Sequence, residues 1–226
     1  MSRLPVKPEL AEFRDLAKLG NVVPVYAQLA ADFETPLSAF MKISQQGGAF
    51  LFESAESTDA SGRYSIMGSE PRAMFTAVGK EITMSEDGET KTWQAKNDLL
   101  EELEQFMSKY KPVTHGDAPP FYGGAVGYMS YDAVKQFEPT IESSPEDDLG
   151  LPDAVFMIAD TVLIFDHKLR RLLVVANAFI DEADSHDAAY QDAIDRIQQM
   201  IAKLDVSVHI PPLNGLTKYD IPEAKS

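Results

Sequence analysis

Two apolar runs, "AVFMIADTVLIFDH" over 154–167 and "RRLLVVANAFI" over 170–180, restrict the fold more than any other part of the chain. Both mix period-two alternation with continuous apolarity, the pattern of strands covered on both faces, and the turn near Lys168–Leu169 between them predicts a central hairpin. Around this hairpin, helical and strand-like segments alternate without a regular βαβ rhythm. The expected class is therefore α+β, with a large, mainly antiparallel sheet and flanking helices.

Pro8 to Leu19 places Leu10, Phe13, Leu16 and Leu19 on one helical face, with Pro8 suited to a first turn and Gly20 to a stop. "NVVPVYAQLA" is extended and β-branched, with Pro24 predicting an edge position, and Thr35–Pro36 opens a second helix through Leu37, Phe40, Met41 and Ile43. Phe50–Ala55 and Arg63–Met67 predict strands, and Asp87–Gly88 predicts a hairpin turn in the meander that follows. Asn97 or Asp98 can cap a helix carrying Leu99, Leu100, Leu103, Phe106, Met107 and Tyr110, and a last helix runs from about Ser185 to Leu204. The segment "PTIESSPEDDLGLPD" is expected to be an exposed loop. We expect one domain over 1–205. The proline-bearing stretch 206–226 reads either as a linker toward a further domain or as a frayed end.

Charge narrows the partners. Twenty Lys and Arg stand against 36 Asp and Glu, a formal net charge of −16 that repels nucleic acid and anionic lipid surfaces. With no cysteine, disulfide frameworks and thiolate metal sites are excluded, which fits the cytoplasm. No run approaches a membrane span, and the four histidines lack metal-ligand spacing. No nucleophile elbow, phosphate loop or Ser/His/Asp relay assembles from spacing. Asp147–Asp148 belongs to a solvated acidic loop, and Met67, Met74, Met84 and Met107 are core fillers.

"FYGGAVGYMSYD", Phe121 to Asp132, breaks an aromatic strand pattern with three glycines, which implies a bulge or the close approach of another backbone or a ligand. Through Phe121, Gly123, Gly124, Gly127, Tyr128, Tyr131 and Asp132 it resembles the Phe-x-Gly-Gly-x-x-Gly-Tyr-x-x-Tyr-Asp signature of the chorismate-utilising synthases. Within them it is most similar to the N-terminal domain of anthranilate synthase component I and to its aminodeoxychorismate synthase relative. "LAKLGNVVPVYAQLAADFETPLSAF", "FLFESAESTDASGRYSIMG" and "LPDAVFMIADTVLIFDH" resemble further family blocks in the same order.

The resemblance implies one part of an α/β/β/α sandwich and a regulatory rather than catalytic role. In that family the chemistry, chorismate and ammonia to anthranilate and pyruvate with Mg2+, belongs to a C-terminal domain that this chain would lack. The chain alone would hold no cofactor and be inactive. The implied partners are that catalytic domain, a glutamine amidotransferase subunit and L-tryptophan as feedback inhibitor. The family's feedback element falls on Leu51-Phe52-Glu53-Ser54.

A bound amino acid needs an acceptor for its ammonium, a donor for its carboxylate and an apolar slot. Glu53 and Ser54 could meet the ammonium, Arg63 an anionic group, and Ser65 could exchange a hydrogen bond beside Tyr64. Spacing equally allows a plain strand end with Arg63 paired to Glu53. The other open readings are the aminodeoxychorismate branch, a free-standing amino-acid-binding module and a ligand-free assembly surface. The glycine block either transmits a shift or is a tight bend.

Overall fold

The computed structural model describes residues 4–32, 34–45, 47–53, 62–86, 88–116, 119, 121–138, 140 and 150–207. In chain order the elements are β1 (Val6–Lys7), α1 (Leu10–Leu16), β2 (Val22–Ala30), α2 (Pro36–Ile43), β3 (Ala49–Glu53), β4 (Tyr64–Ser69), β5 (Ala73–Val78), β6 (Glu81–Glu86) and β7 (Glu89–Gln94). There follow α3 (Leu99–Met107), β8 (Gly124–Met129), a 3-10 turn (Tyr131–Gln136), β9 (Ala154–Ala159), β10 (Thr161–Asp166), β11 (Arg171–Phe179) and α4 (His186–Leu204).

The strands form two sheets, ordered β1-β2-β11-β10-β4-β3 and β7-β6-β5-β9-β8, and every pairing within them is antiparallel. Alternation along the strands sorts side chains into three apolar layers. Val23, Val25, Leu163, Phe165, Leu172 and Val174 face a layer shared with Phe13 of α1, Ile43 of α2 and Ile194 and Ile197 of α4. Phe75, Ile82, Met84 and Ile158 pack with Leu99 of α3. Val162, Ile164, Leu173 and Val175 meet Val126, Met157 and Ala159 of the second sheet in the layer between. The architecture is α/β/β/α, the α+β sandwich expected from the sequence.

The long run 154–167 is not one strand. It leaves one sheet at Ala159 and enters the other at Thr161, with Asp160 at the corner. The partner chain bends in step, since β4 and β5 are separated only by Glu70–Arg72, and Glu70 adopts a positive φ of 52°. Thus β4 pairs with β10 in the first sheet and β5 with β9 in the second, one continuous two-stranded ribbon turning a corner. The corner is braced by Arg72 N–H donating to the Ile158 carbonyl at 3.0 Å and by Arg196 of α4 reaching Asp160 at 3.1 Å.

Local signals account for the helices. Thr35 accepts from Ser38 N–H in a reciprocal capping box ahead of Pro36, Asp98 accepts from Leu100 and Glu101 N–H, and Ser185 accepts from Ala188 N–H. Pro24 lies one strand in from the sheet edge, yet β1 covers only Tyr26 and Ala27, so the ladder beside Pro24 is open as proline requires. No described helix is long and apolar enough to cross a membrane.

Candidate functional site

The expected ligand strands do pair. β3 runs antiparallel to β4 at the open edge of the six-stranded sheet, with Glu53 opposite Ser65 and Ser65 opposite Phe165. Ser65 shares its face with Met67, which packs toward the helices, and is only 2% exposed. Its Oγ lies 2.8 Å from His167 Nε2 and donates to Glu53 Oε1 at 3.4 Å. A carboxylate can only accept, so with the hydroxyl proton given to Glu53, His167 must donate from Nε2 to Ser65. The His167 ring in turn stacks on Phe165, centroids 6.3 Å apart. Glu53 is exposed at the end of this relay, beside an outward-facing Phe52, 56% exposed, that touches Phe50.

Arg63 is engaged elsewhere. Its Nε and a terminal nitrogen reach the two oxygens of Asp166 at 3.0 and 2.8 Å, so the pairing with Glu53 that spacing allows is absent. Asp166 is 1% exposed and also accepts from Leu169 N–H and Arg171 Nε, at 3.2 and 3.3 Å. The Arg63 hydrogen bond holds the Asp166 carboxyl below the usual range, against the opposing effect of burial, with the Leu169 N–H and the charges of Arg63 and Arg171 adding to it. The guanidinium also sits 4.8 Å from the Tyr64 ring, which belongs to the layer between the sheets.

Glu53 and Ser65 are therefore together, Arg63 and Tyr64 close the strand end behind them, and Ser54 lies outside the described residues. A polar hollow of about 350 Å3 adjoins the cluster, lined by Glu34, Thr35, His167, Arg170 and Arg171 among others. Asp166 and His167 did not emerge from the sequence as site residues. Their only signal is the polar pair that ends the apolar run at Phe165, and nothing local announces that it lies opposite Arg63 and Ser65.

The glycine motif lies in the other sheet, where β8 is an edge strand. A Cβ on Gly127 would stand 1.8 Å from the Val155 carbonyl oxygen, and one on Gly123 would stand 2.3 Å from Asn177 Nδ2. These glycines are demanded by close backbone approach. Gly123 and Gly124 also hold positive φ values of 148° and 132°. Of the polar members, Tyr128 donates to the Pro152 carbonyl at 3.3 Å, Asp132 pairs with Lys135 at 2.8 Å, and Tyr131 is 93% exposed. Among the described residues no group of three His, Asp or Glu side chains is placed to hold a metal ion.

Comparison with known proteins gives the family. The family model described as chorismate binding enzyme matches residues 48–211. The chain is 34% identical over 192 residues to anthranilate synthase component 1 of Acetivibrio thermocellus, covering 84% of this chain and 38% of that protein. It is 34% identical over 226 residues to the Synechocystis sp. protein of the same name, covering 96% and 43%. The crystal structure of anthranilate synthase component I from Streptococcus pneumoniae superposes with a TM-score of 0.52 at 25% identity, over 80% of this chain and 37% of that one. The chain thus spans about two fifths of the length of these relatives.

Proposed function

The chain belongs to the chorismate-binding enzyme family, and we propose that it is the N-terminal regulatory part of an anthranilate synthase component I, with a tryptophan site built on the edge formed by β3 and β4. The observation that carries this is the Glu53–Ser65–His167 relay, an exposed carboxylate held by a buried hydroxyl at an open strand edge. Such a carboxylate suits an α-ammonium group. The names of the relatives at 33 to 34% identity support the anthranilate branch.

In this reading, conversion of chorismate with ammonia or glutamine to anthranilate and pyruvate, a lyase reaction with Mg2+, is the work of the remainder of such a protein. An amidotransferase subunit supplies the ammonia, in the cytoplasm, and this part by itself turns nothing over. Tryptophan inhibits by binding better to an arrangement of the two parts in which chorismate binds poorly, since equal affinity for both arrangements would shift nothing.

The test is made on the natural full-length protein. Ser54→Phe should abolish inhibition by tryptophan while chorismate turnover continues. A Ser54→Phe enzyme inhibited at the wild-type tryptophan concentration overturns the site, and aminodeoxychorismate as the product would move the protein to the folate branch.

A further inference from the structure

The Ser65 hydroxyl is held from behind by a histidine, the side chain whose charge changes between about pH 5 and 8. His167 is the first residue past β10. Its backbone N–H donates to the Arg63 carbonyl at 2.9 Å, and its ring stacks on Phe165 with centroids 6.3 Å apart. These two attachments fix the residue at the entrance of β4 and bring Nε2 to 2.8 Å from Ser65 Oγ. Ser65 is buried, whereas His167 is exposed on the wall of the polar hollow, where protons reach it.

The charged groups around the ring come from three places. At the strand ends, Arg63 and Arg171 both bind Asp166, at 2.8 and 3.3 Å. In the connection between β2 and α2, Glu34 is held by Lys42 and accepts from Ser38 Oγ at 2.7 Å, and Asp32 lines the same hollow. Lys168 and Arg170 belong to the turn that His167 begins. Among the described residues, the side chain hydrogen-bonded to the ring is Ser65, and through it the ring reaches Glu53.

A neutral ring donates from Nε2 to Ser65, and Ser65 donates to Glu53. Protonation leaves both bonds in place and adds a full positive charge at most about 6 Å from the Glu53 oxygen. We infer that His167 is the positioning residue and the proton sensor of this site. In either form it turns the Ser65 hydroxyl toward Glu53, and in its charged form it opposes the α-ammonium group that Glu53 receives, so that acid relieves inhibition. The inference rests on the tryptophan site proposed above. Across a partly solvated strand end, repulsion over this distance weakens binding about threefold to tenfold.

Equilibrium dialysis of labelled tryptophan against the natural full-length protein reads affinity without turnover, and free tryptophan stays zwitterionic throughout. The wild-type dissociation constant should rise about threefold to tenfold from about pH 7.5 to about pH 5.5, the range in which histidine titrates. His167→Gln keeps an N–H for Ser65 and takes no charge. Its affinity at the higher pH should match the wild type, and the rise on acidification should vanish. His167→Leu removes the donor as well and should bind about fivefold or more weakly at both pH values, with a thermal melt showing that each variant is folded. Where Glu53→Gln weakens binding, an equal rise in the wild type and His167→Gln overturns the role of His167 and leaves the site standing. So does a His167→Leu protein that binds like the wild type at the higher pH. Tryptophan binding untouched by Glu53→Gln overturns the site itself, and this inference with it.

Discussion

Arg63 and Asp166, 103 residues apart in the chain, meet in a two-pronged ion pair at 3.0 and 2.8 Å. The pair fastens the entrance of β4 to the exit of β10, where the Arg63 carbonyl also accepts from His167 N–H at 2.9 Å. It stands directly behind Ser65 and His167, so the clamp determines where the proposed ammonium acceptor is held.

Asp166→Asn should lower the unfolding free energy by about 2 kcal/mol at neutral pH, by weakening charge-assisted hydrogen bonds to a buried carboxylate. Because the folded-state pKa of Asp166 is depressed, the carboxylate's contribution is fully present above the unfolded value of about 3.9. It is lost as pH falls through the folded value. Urea unfolding of the two proteins should give curves that differ at pH 7 and converge toward about pH 2. A constant difference across that range would contradict the assignment.

Ser65→Ala in the full-length enzyme removes the hydroxyl between His167 and Glu53. The tryptophan concentration for half-inhibition should rise roughly 5- to 150-fold, the range for one lost buried polar contact, with kcat on chorismate unchanged. An inhibition curve that overlays the wild type would separate the relay from tryptophan binding.

Gly127→Ala should destabilise by about 3 kcal/mol, the upper range of overpacking, because the new methyl meets the Val155 carbonyl and the Phe156 Cα in the adjacent strand. Gly88→Ala instead faces an unfavourable positive φ, of 80°, and its Cβ would meet nothing within 4 Å. The comparison of melting temperatures isolates contact from conformation: Gly127→Ala should show the larger loss.

Arg196→Met keeps the length of the side chain and removes its bonds to Asp160 Oδ2 and the Asn177 carbonyl, at 3.1 and 2.5 Å. The expected cost is about 2 kcal/mol in thermal or urea unfolding. Hydrogen exchange should accelerate first at Asn177 N–H, whose acceptor is the Asp160 carbonyl at 2.9 Å. Exchange accelerated first in β6 and β7 instead would refute this account of the corner.

Caps, turns and amphipathic faces were legible because their causes are local. Thr35–Pro36, Asp98 and Ser185 each begin a helix through an oxygen acting within a few residues. The strand pair around Glu53 and Ser65 was legible for the same reason, being joined by a short connection. The break at Asp160 was hidden, since Ala159 and Thr161 continue one apolar pattern and only the bend at Glu70–Arg72, ninety positions earlier, gives the change of sheet its meaning. Asp166 and His167 were missed on similar grounds: their partners are set by the register between β4 and β10, which no local pattern encodes. The glycines were recognised as a sign of close approach, and their purpose became specific only once Val155 and Asn177 were seen to occupy the space.

The corner-turning ribbon makes the two sheets one folding event. Neither can be completed until β4–β5 and β9–β10 are both threaded through the bend, and those segments are some ninety residues apart, so contacts of long sequence separation must form before most of the burial is gained. Amides of β6 and of β11, in different sheets, should therefore exchange in a single global opening rather than as separate units. A polypeptide cut between Val78 and Ala154 would be divided within both layers at once, leaving two fragments that fold only by recombining.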